Sequence, residues 1–239
     1  MTRSSMKNKF LVTSIFKSFN GEVCTSYKNG GNGQGEKAIF VRFALCPVHC
    51  KWCDTKRSWN QIGKVWYGMD KIIDEVKRLA KGFPKNVTIT GGEPLIYNGL
   101  PDLCNRLTRS GFNVNIYTSG VYHIDHLTRL EKISLIIDYK AKTAEAKLKT
   151  IVNASALRRN DWLKCVISNK SDLVEFAKFI IDTGPCVSRI AVSPVWPPNN
   201  HSKIYMWISG LKRNLRHVFN DVVIYVQTHK IERGDRNDY

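Results

Sequence analysis

The sequence predicts an α/β fold, a single domain built as a full or partial TIM-like barrel of six or seven strand–helix units. Apolar runs of strand length alternate with stretches of helical periodicity. Glycine and proline punctuate the ends of those stretches. No linker and no fixed-period repeat interrupts the 239 residues, so residues 1–239 read as one domain with a core over 11–230 and a polar tail over 231–239.

The elements follow in order. Strands are expected over 11–19, 38–45, 86–90, 112–119, 133–140, 162–167, 189–195 and 222–228. The clearest helix spans 69–81, with apolar residues at 69, 72, 73, 76, 79 and 80 on one face of a 3.6-residue period. Lys77, Arg78 and Lys81 close it, and Gly82 and Pro84 stop it. A second helix over 103–109 ends before Gly111, and a third over 171–181 starts from Ser171 as N-cap and closes before Gly184-Pro185. Strand–helix–strand units of this length call for parallel strands with right-handed crossovers. The glycine-rich stretch Lys28 to Gly35 precedes a strand, not a helix, so it reads as a mobile surface loop and not a phosphate cradle.

Composition excludes several classes. Hydrophobic residues at 43% and charged residues at 24% are globular values, which removes disordered and fibrous readings. No apolar run reaches the roughly 18 residues of a membrane span. The basic N-terminus has no continuous signal-peptide core, so a cytoplasmic protein is expected. Seven cysteines cannot all pair within one chain. Cys46, Cys50 and Cys53 crowd together, whereas Cys24, Cys104, Cys165 and Cys186 are scattered and read as packing residues. The net charge of +17 allows contact with nucleic acid or an acidic protein through a basic surface, or a solvated face without a ligand.

Two motifs carry chemistry. Cys46, Cys50 and Cys53, just after a strand, place three thiols in one tight loop. Three ligands leave one metal position open, which suits a four-iron cluster with one iron free. Zinc with His49 as fourth ligand is the alternative, although His49 adjoins Cys50. The strand over 86–90 runs into Gly91-Gly92-Glu93-Pro94, where two glycines let backbone approach a ligand at the strand's C-terminal end.

Together these segments resemble the radical S-adenosylmethionine enzymes. The resemblance implies a 4Fe–4S cluster on Cys46, Cys50 and Cys53, with the open iron chelated by the methionine end of S-adenosylmethionine. It also implies the fold of the radical SAM class, an α/β partial (β/α)6-type, TIM-like barrel. Further segments resemble, in order, the 7-carboxy-7-deazaguanine synthase family: Ser18 to Glu22, Phe40 to Phe43, Cys53-Asp54-Thr55, Asp138 to Lys140, Ser193 to Trp196 and Val226 to Lys230. That family implies a carbon–nitrogen lyase contracting 6-carboxy-5,6,7,8-tetrahydropterin to 7-carboxy-7-deazaguanine with loss of ammonia, in queuosine-type deazapurine biosynthesis. It further implies Mg2+, a flavodoxin- or ferredoxin-like electron donor and a homodimer.

Carried over by position, Phe19, Asn20, Gly21, Glu22, Arg42, Thr90, Gln227 and His229 would hold the pterin, with Gln227 and His229 alternating along the last strand. Trp52, Cys53, Asp54, Gly92, Glu93, Ser119, Asp138, Lys140, Ser193, Pro194, Val195 and Trp196 would bind the cofactor, and Thr55 the Mg2+. By spacing alone Thr55 equally reads as a helix cap. Asn20, Val23, Tyr117, Ser119 and Ser193 depart from the residues common in that family, which marks a divergent member. Two rival readings are weighed against this one. A glycyl-radical activase shares the three-cysteine motif but leaves Cys-Asp-Thr and Glu22 without a role. A basic nucleic-acid binder with a structural metal leaves Gly91-Gly92-Glu93 unexplained.

Overall fold

The computed structural model describes residues 8–152, 154–183, 189–197, 201–214 and 222–233. Among the described residues nine strands form one sheet in the order β3-β1-β2-β4-β5-β6-β7-β8-β9. They are β1 Lys9–Phe19, β2 Lys37–Phe43, β3 Val65–Gly68, β4 Asn86–Gly91, β5 Asn113–Thr118, β6 Ile133–Tyr139, β7 Trp162–Ile167, β8 Arg189–Pro194 and β9 Val222–Ile224. From β2 to β9 every neighbouring pair is parallel. β1 pairs antiparallel with both β2 and β3. No helix intervenes between β1 and β2, and without a crossover a parallel partner is out of reach.

The helices are α1 Met69–Leu79, α2 Leu100–Arg109, α3 Asp125–Thr128, α4 Lys170–Asp182, α5 His201–Asn214 and α6 Thr228–Arg233. α1 buries Met69, Ile72, Ile73 and Val76, the stripe its periodicity dictates. α2 begins earlier than expected because Pro101 sits in its first turn, where a missing N–H costs nothing. α4 is capped by Asn169, whose side chain accepts from Asp172 N, and not by Ser171. Among the described residues β6 and β7 are joined by short 3-10 turns in place of an α-helix. β7 is buried along its whole length and, Lys164 apart, is the apolar run that a strand covered on both faces shows, whereas β4 alternates Val87 and Ile89 with Asn86 and Thr88. Phe10, Phe43 and Tyr97 pack with ring centroids 5.1–5.4 Å apart at the centre of the main core.

Other expectations need correction. The final strand stops at Ile224, and residues 228–233 turn into α6, so Gln227 and His229 do not alternate along one strand. β3 and α5 carry no clear amphipathic signature in the sequence and were not expected. The glycine-rich loop lies at the surface and carries backbone hydrogen bonds that the sequence did not show. Ser26 N donates to Gly31 O, Gly30 N to Ser26 O and Gly33 N to Cys24 O. The Arg189 guanidinium donates to the carbonyls of Gly30 and Gly31. Cys24, Cys104 and Cys165 are buried packing residues, while Cys186 lies outside the described residues.

Candidate active site

The C-terminal ends of the parallel strands converge on one cavity of about 280 Å³. Arg42 and Thr90, register partners on β2 and β4, face it from one side. Thr118 ends β5, Asp138 lies near the end of β6, and Val195 and Trp196 follow β8. The segment after β1 supplies Phe19, Gly21 and Glu22, and the segment after β9 supplies Gln227, His229 and Lys230. Ligands gather at this end of a parallel sheet because the connecting loops there can vary while the strands stay fixed.

The cysteine loop forms another wall. Cys46, Cys50 and Cys53 all line the cavity, none is in a disulfide, and they pack with Val48, Val121 and Ala146. The loop is pinned by Lys51 N to Ala144 O and by Lys147 N to Val48 O, both 2.8 Å. His49 adopts a left-handed φ of +50° and stacks on Trp59, with centroids 4.6 Å apart, rather than turning toward the thiols. Among the described residues no three His, Cys, Asp or Glu side chains are already gathered around a single ion. A cubane spreads its ligands over separate irons, so three free thiols without a fourth protein donor fit a cluster better than mononuclear zinc. Burial pushes the Cys46 thiol up and the Cys50 thiol up to about 11, with Lys140 opposing the latter. Loading the cluster must therefore displace protons.

Gly91 and Gly92 line the cavity and have a further, steric reason that the sequence did not show. An added Cβ would lie 2.1 Å from Phe43 O at Gly91 and 2.0 Å from Leu45 O at Gly92. Gly91 also sits at φ +124°. The space is filled by the backbone entering the cysteine loop. Gly92 N donates to Phe43 O and Glu93 N to Leu45 O, both 2.8 Å. Glu93, buried at the floor, accepts from Thr118 Oγ1 at 2.5 Å, Ser119 Oγ at 2.5 Å, Ser119 N at 2.9 Å and Leu95 N at 3.1 Å. Its carboxylate clasps β4 to β5.

Ion pairs organise the opposite wall. Lys140 Nζ lies 2.9 Å and Lys164 Nζ 2.8 Å from Asp138 Oδ2, and Lys164 also reaches Glu22 Oε2 at 2.6 Å. Gln227 Nε2 donates to Glu22 Oε1. Burial raises the Asp138 carboxyl, but the two ammonium groups outweigh it and hold the group below its ordinary value. Asp54 accepts from His229 Nε2 at 3.1 Å, and His229, Lys230 and Arg42 likewise overcome burial to hold Asp54 low. The Arg42 guanidinium lies 5.8 Å from the Phe16 ring centroid. Thr55 makes no side-chain cap bond to the turn it precedes, so its hydroxyl is not used as a helix cap.

Of the residues singled out in the sequence, Asn20, Ser193 and Pro194 do not line the cavity. Asn20 faces the core and accepts from Thr88 Oγ1 at 2.8 Å, and Ser193 is fully buried within β8. All the others do line it. Lys164, Tyr117 and Phe16 were missed. Lys164 carried a signal, the lone charge inside the apolar run Trp162 to Ile167.

The sequence profile of the radical SAM superfamily matches residues 41–168, and the chain belongs to that superfamily. Membership brings a 4Fe–4S cluster and S-adenosylmethionine as cofactors. Among curated relatives, the 7-carboxy-7-deazaguanine synthase of Pyrobaculum aerophilum is 32% identical over 201 residues, covering 82% of this chain and 88% of the relative. That of Clostridium acetobutylicum is 30% identical over 227 residues, covering 93% and 95%. Within the superfamily the chain is a member of the 7-carboxy-7-deazaguanine synthase family. The crystal structure of QueE from Escherichia coli superposes with a TM-score of 0.67 over 93% of this chain and 98% of that one, at 20% identity, and shows the same fold.

Proposed function

We propose that the protein contracts 6-carboxy-5,6,7,8-tetrahydropterin to 7-carboxy-7-deazaguanine with release of ammonia. The observation that carries this reading is one cavity holding a free-thiol triad on one wall and a set of paired charges on the other. Cys46, Cys50 and Cys53 would hold a 4Fe–4S cluster, which when bound would supply the single electron that radical chemistry on the substrate needs. The chain's own residues bind and aim. Arg42, its planar fork set against Phe16, suits a substrate carboxylate. Glu22, steadied by Gln227, suits the guanidine-like edge of a pterin. Asp138 and Lys140 suit the ribose and carboxylate of the cofactor, and Trp196 its adenine. The Thr55 hydroxyl would add one oxygen to a Mg2+ whose remaining ligands come from substrate and water. A cytoplasmic homodimer fed by an acidic flavodoxin- or ferredoxin-like donor, drawn to the basic surface, completes the reading. No helix among the described residues is long and apolar enough to cross a membrane.

The test is turnover. Anaerobically reconstituted protein, given the pterin, S-adenosylmethionine and dithionite, is expected to yield the deazaguanine by mass. A protein that cleaves S-adenosylmethionine yet leaves the pterin intact would refute this reading. In the same assay Thr55→Ala is expected to lose Mg2+ stimulation at unchanged iron content. An intact Mg2+ response would remove Thr55 from the metal site.

A further inference from the structure

A lysine buried in a central strand is costly unless carboxylates meet it. Lys164 is such a residue. Its side chain is 3% exposed on β7, and its register partner on β6 is Asp138. Its ammonium lies between two carboxylates that come from different parts of the chain, Glu22 Oε2 at 2.6 Å and Asp138 Oδ2 at 2.8 Å. Lys164 itself lines the cavity. Burial pulls the Lys164 ammonium toward neutrality, but Asp138 and Glu22 outweigh it and hold the group well above its ordinary value.

Two buried oxygens beside this bridge have no hydrogen-bond partner, Asp138 Oδ1 and Gln227 Oε1. Gln227 is held on Glu22 by its amide N–H, so its oxygen is oriented by the same group. A desolvated acceptor without a donor is expensive until a ligand supplies one. The bridge thus occupies one oxygen of Asp138 and leaves the other for a ligand, and it turns Glu22 so that Gln227 can sit against it.

We propose that Lys164 is a positioning residue that ties the pterin end of the cavity, through Glu22, to the cofactor end, through Asp138, so that binding at either end depends on the same ammonium. The inference rests on the assignment of those two ends given under the proposed function. Without Glu22 as a partner, the Lys164 ammonium is left to Asp138 and the Tyr225 hydroxyl, and its altered hold on Asp138 is felt at the end that takes the cofactor. A change at the pterin end is therefore felt by S-adenosylmethionine even when no pterin is present. Such coupling is reciprocal between two binding equilibria.

The deciding measurement is the Kd of S-adenosylmethionine on cluster-loaded protein without pterin, by equilibrium dialysis under argon. Glu22→Gln, nearly isosteric, is expected to weaken it about fivefold or more. An unchanged Kd overturns the proposal, since a merely structural lysine would not transmit the substitution. Lys164→Met is expected to weaken both S-adenosylmethionine and pterin about tenfold, with iron content and cluster absorption kept and with Lys164→Arg restoring most of the loss. Loss of affinity for one ligand alone also overturns it. Should Lys164→Met fail to fold, Glu22→Gln decides alone. Wild-type protein that binds S-adenosylmethionine but never converts the pterin would refute the proposed function, and the Glu22→Gln comparison would still report on Lys164.

Discussion

At Gly92 a single methyl group has nowhere to go. An added Cβ would stand 2.0 Å from the Leu45 carbonyl, which is backbone and cannot rotate away. Gly92→Ala is expected to destabilise the protein by about 3 kcal/mol or more, a large overpacking effect. Iron retention should fall with it, because Leu45 leads straight into Cys46. Chemical denaturation and iron content on the same preparation check both. At this scale the sequence was most legible where chemistry is written in one residue type at fixed spacing, as in Cys46, Cys50 and Cys53. It was least legible where a residue's purpose depends on a distant partner. Asn20 adjoins Gly21 and Glu22 in the chain, yet its side chain turns to Thr88 in the core. Nothing local distinguishes an inward turn of that kind.

Elements differ in how they are held. α3 has four residues, too few to stand on its own. Arg158 donates to Thr128 O and Leu130 O at 2.9 Å and to Ile133 O at 2.9 Å, closing the end of α3 and the start of β6. The guanidinium is held in turn by Asp161, whose buried carboxylate accepts from Arg158 Nε and Nη2 at 3.0 Å and from Leu135 N at 2.8 Å. Asp161→Asn is expected to cost about 3–5 kcal/mol, because it leaves a cation without its partner. Urea unfolding at neutral pH measures it. Strands and the strongest amphipathic helices could be read from periodicity alone, since β4, β7 and α1 each bury the face their pattern specifies. The end of the chain could not. Alternation at 222–228 suits a strand, but Gln34 Nε2 donates to Gly21 O and Val226 O, and Thr228 N also reaches Gly21 O. These contacts take the backbone away from the sheet after Ile224, and they come from residues some two hundred positions earlier.

For the whole molecule, the ionisable groups set the pH range of stability. Asp54 and Asp138 are both held low, so what they contribute is present above their unfolded value near 4 and is lost as pH falls through the depressed folded values. Burial raises Cys24, Cys50, Cys104 and Cys165, so above about 8.5 the unfolded chain sheds protons that the folded chain keeps, and stability falls. Lys140 and Lys164 are held high and contribute throughout the range below about 10.4. The thermal midpoint of the cluster-free protein is therefore expected to be level from about pH 4 to about pH 8.5 and to fall on both sides. Asp138→Asn should lower the plateau and flatten the acid limb. A midpoint that already declines between pH 7 and pH 5 would contradict this distribution of charge.

The seam between Phe43–Leu45 and Gly91–Glu93 is closed by main-chain hydrogen bonds, Gly92 N to Phe43 O and Glu93 N to Leu45 O. Protein exposed to air and stripped of its metal is therefore expected to keep the Gly91–Glu93 segment and the thiol loop stitched together. Recharging it calls for ferrous iron, sulfide and a reductant, with no refolding step.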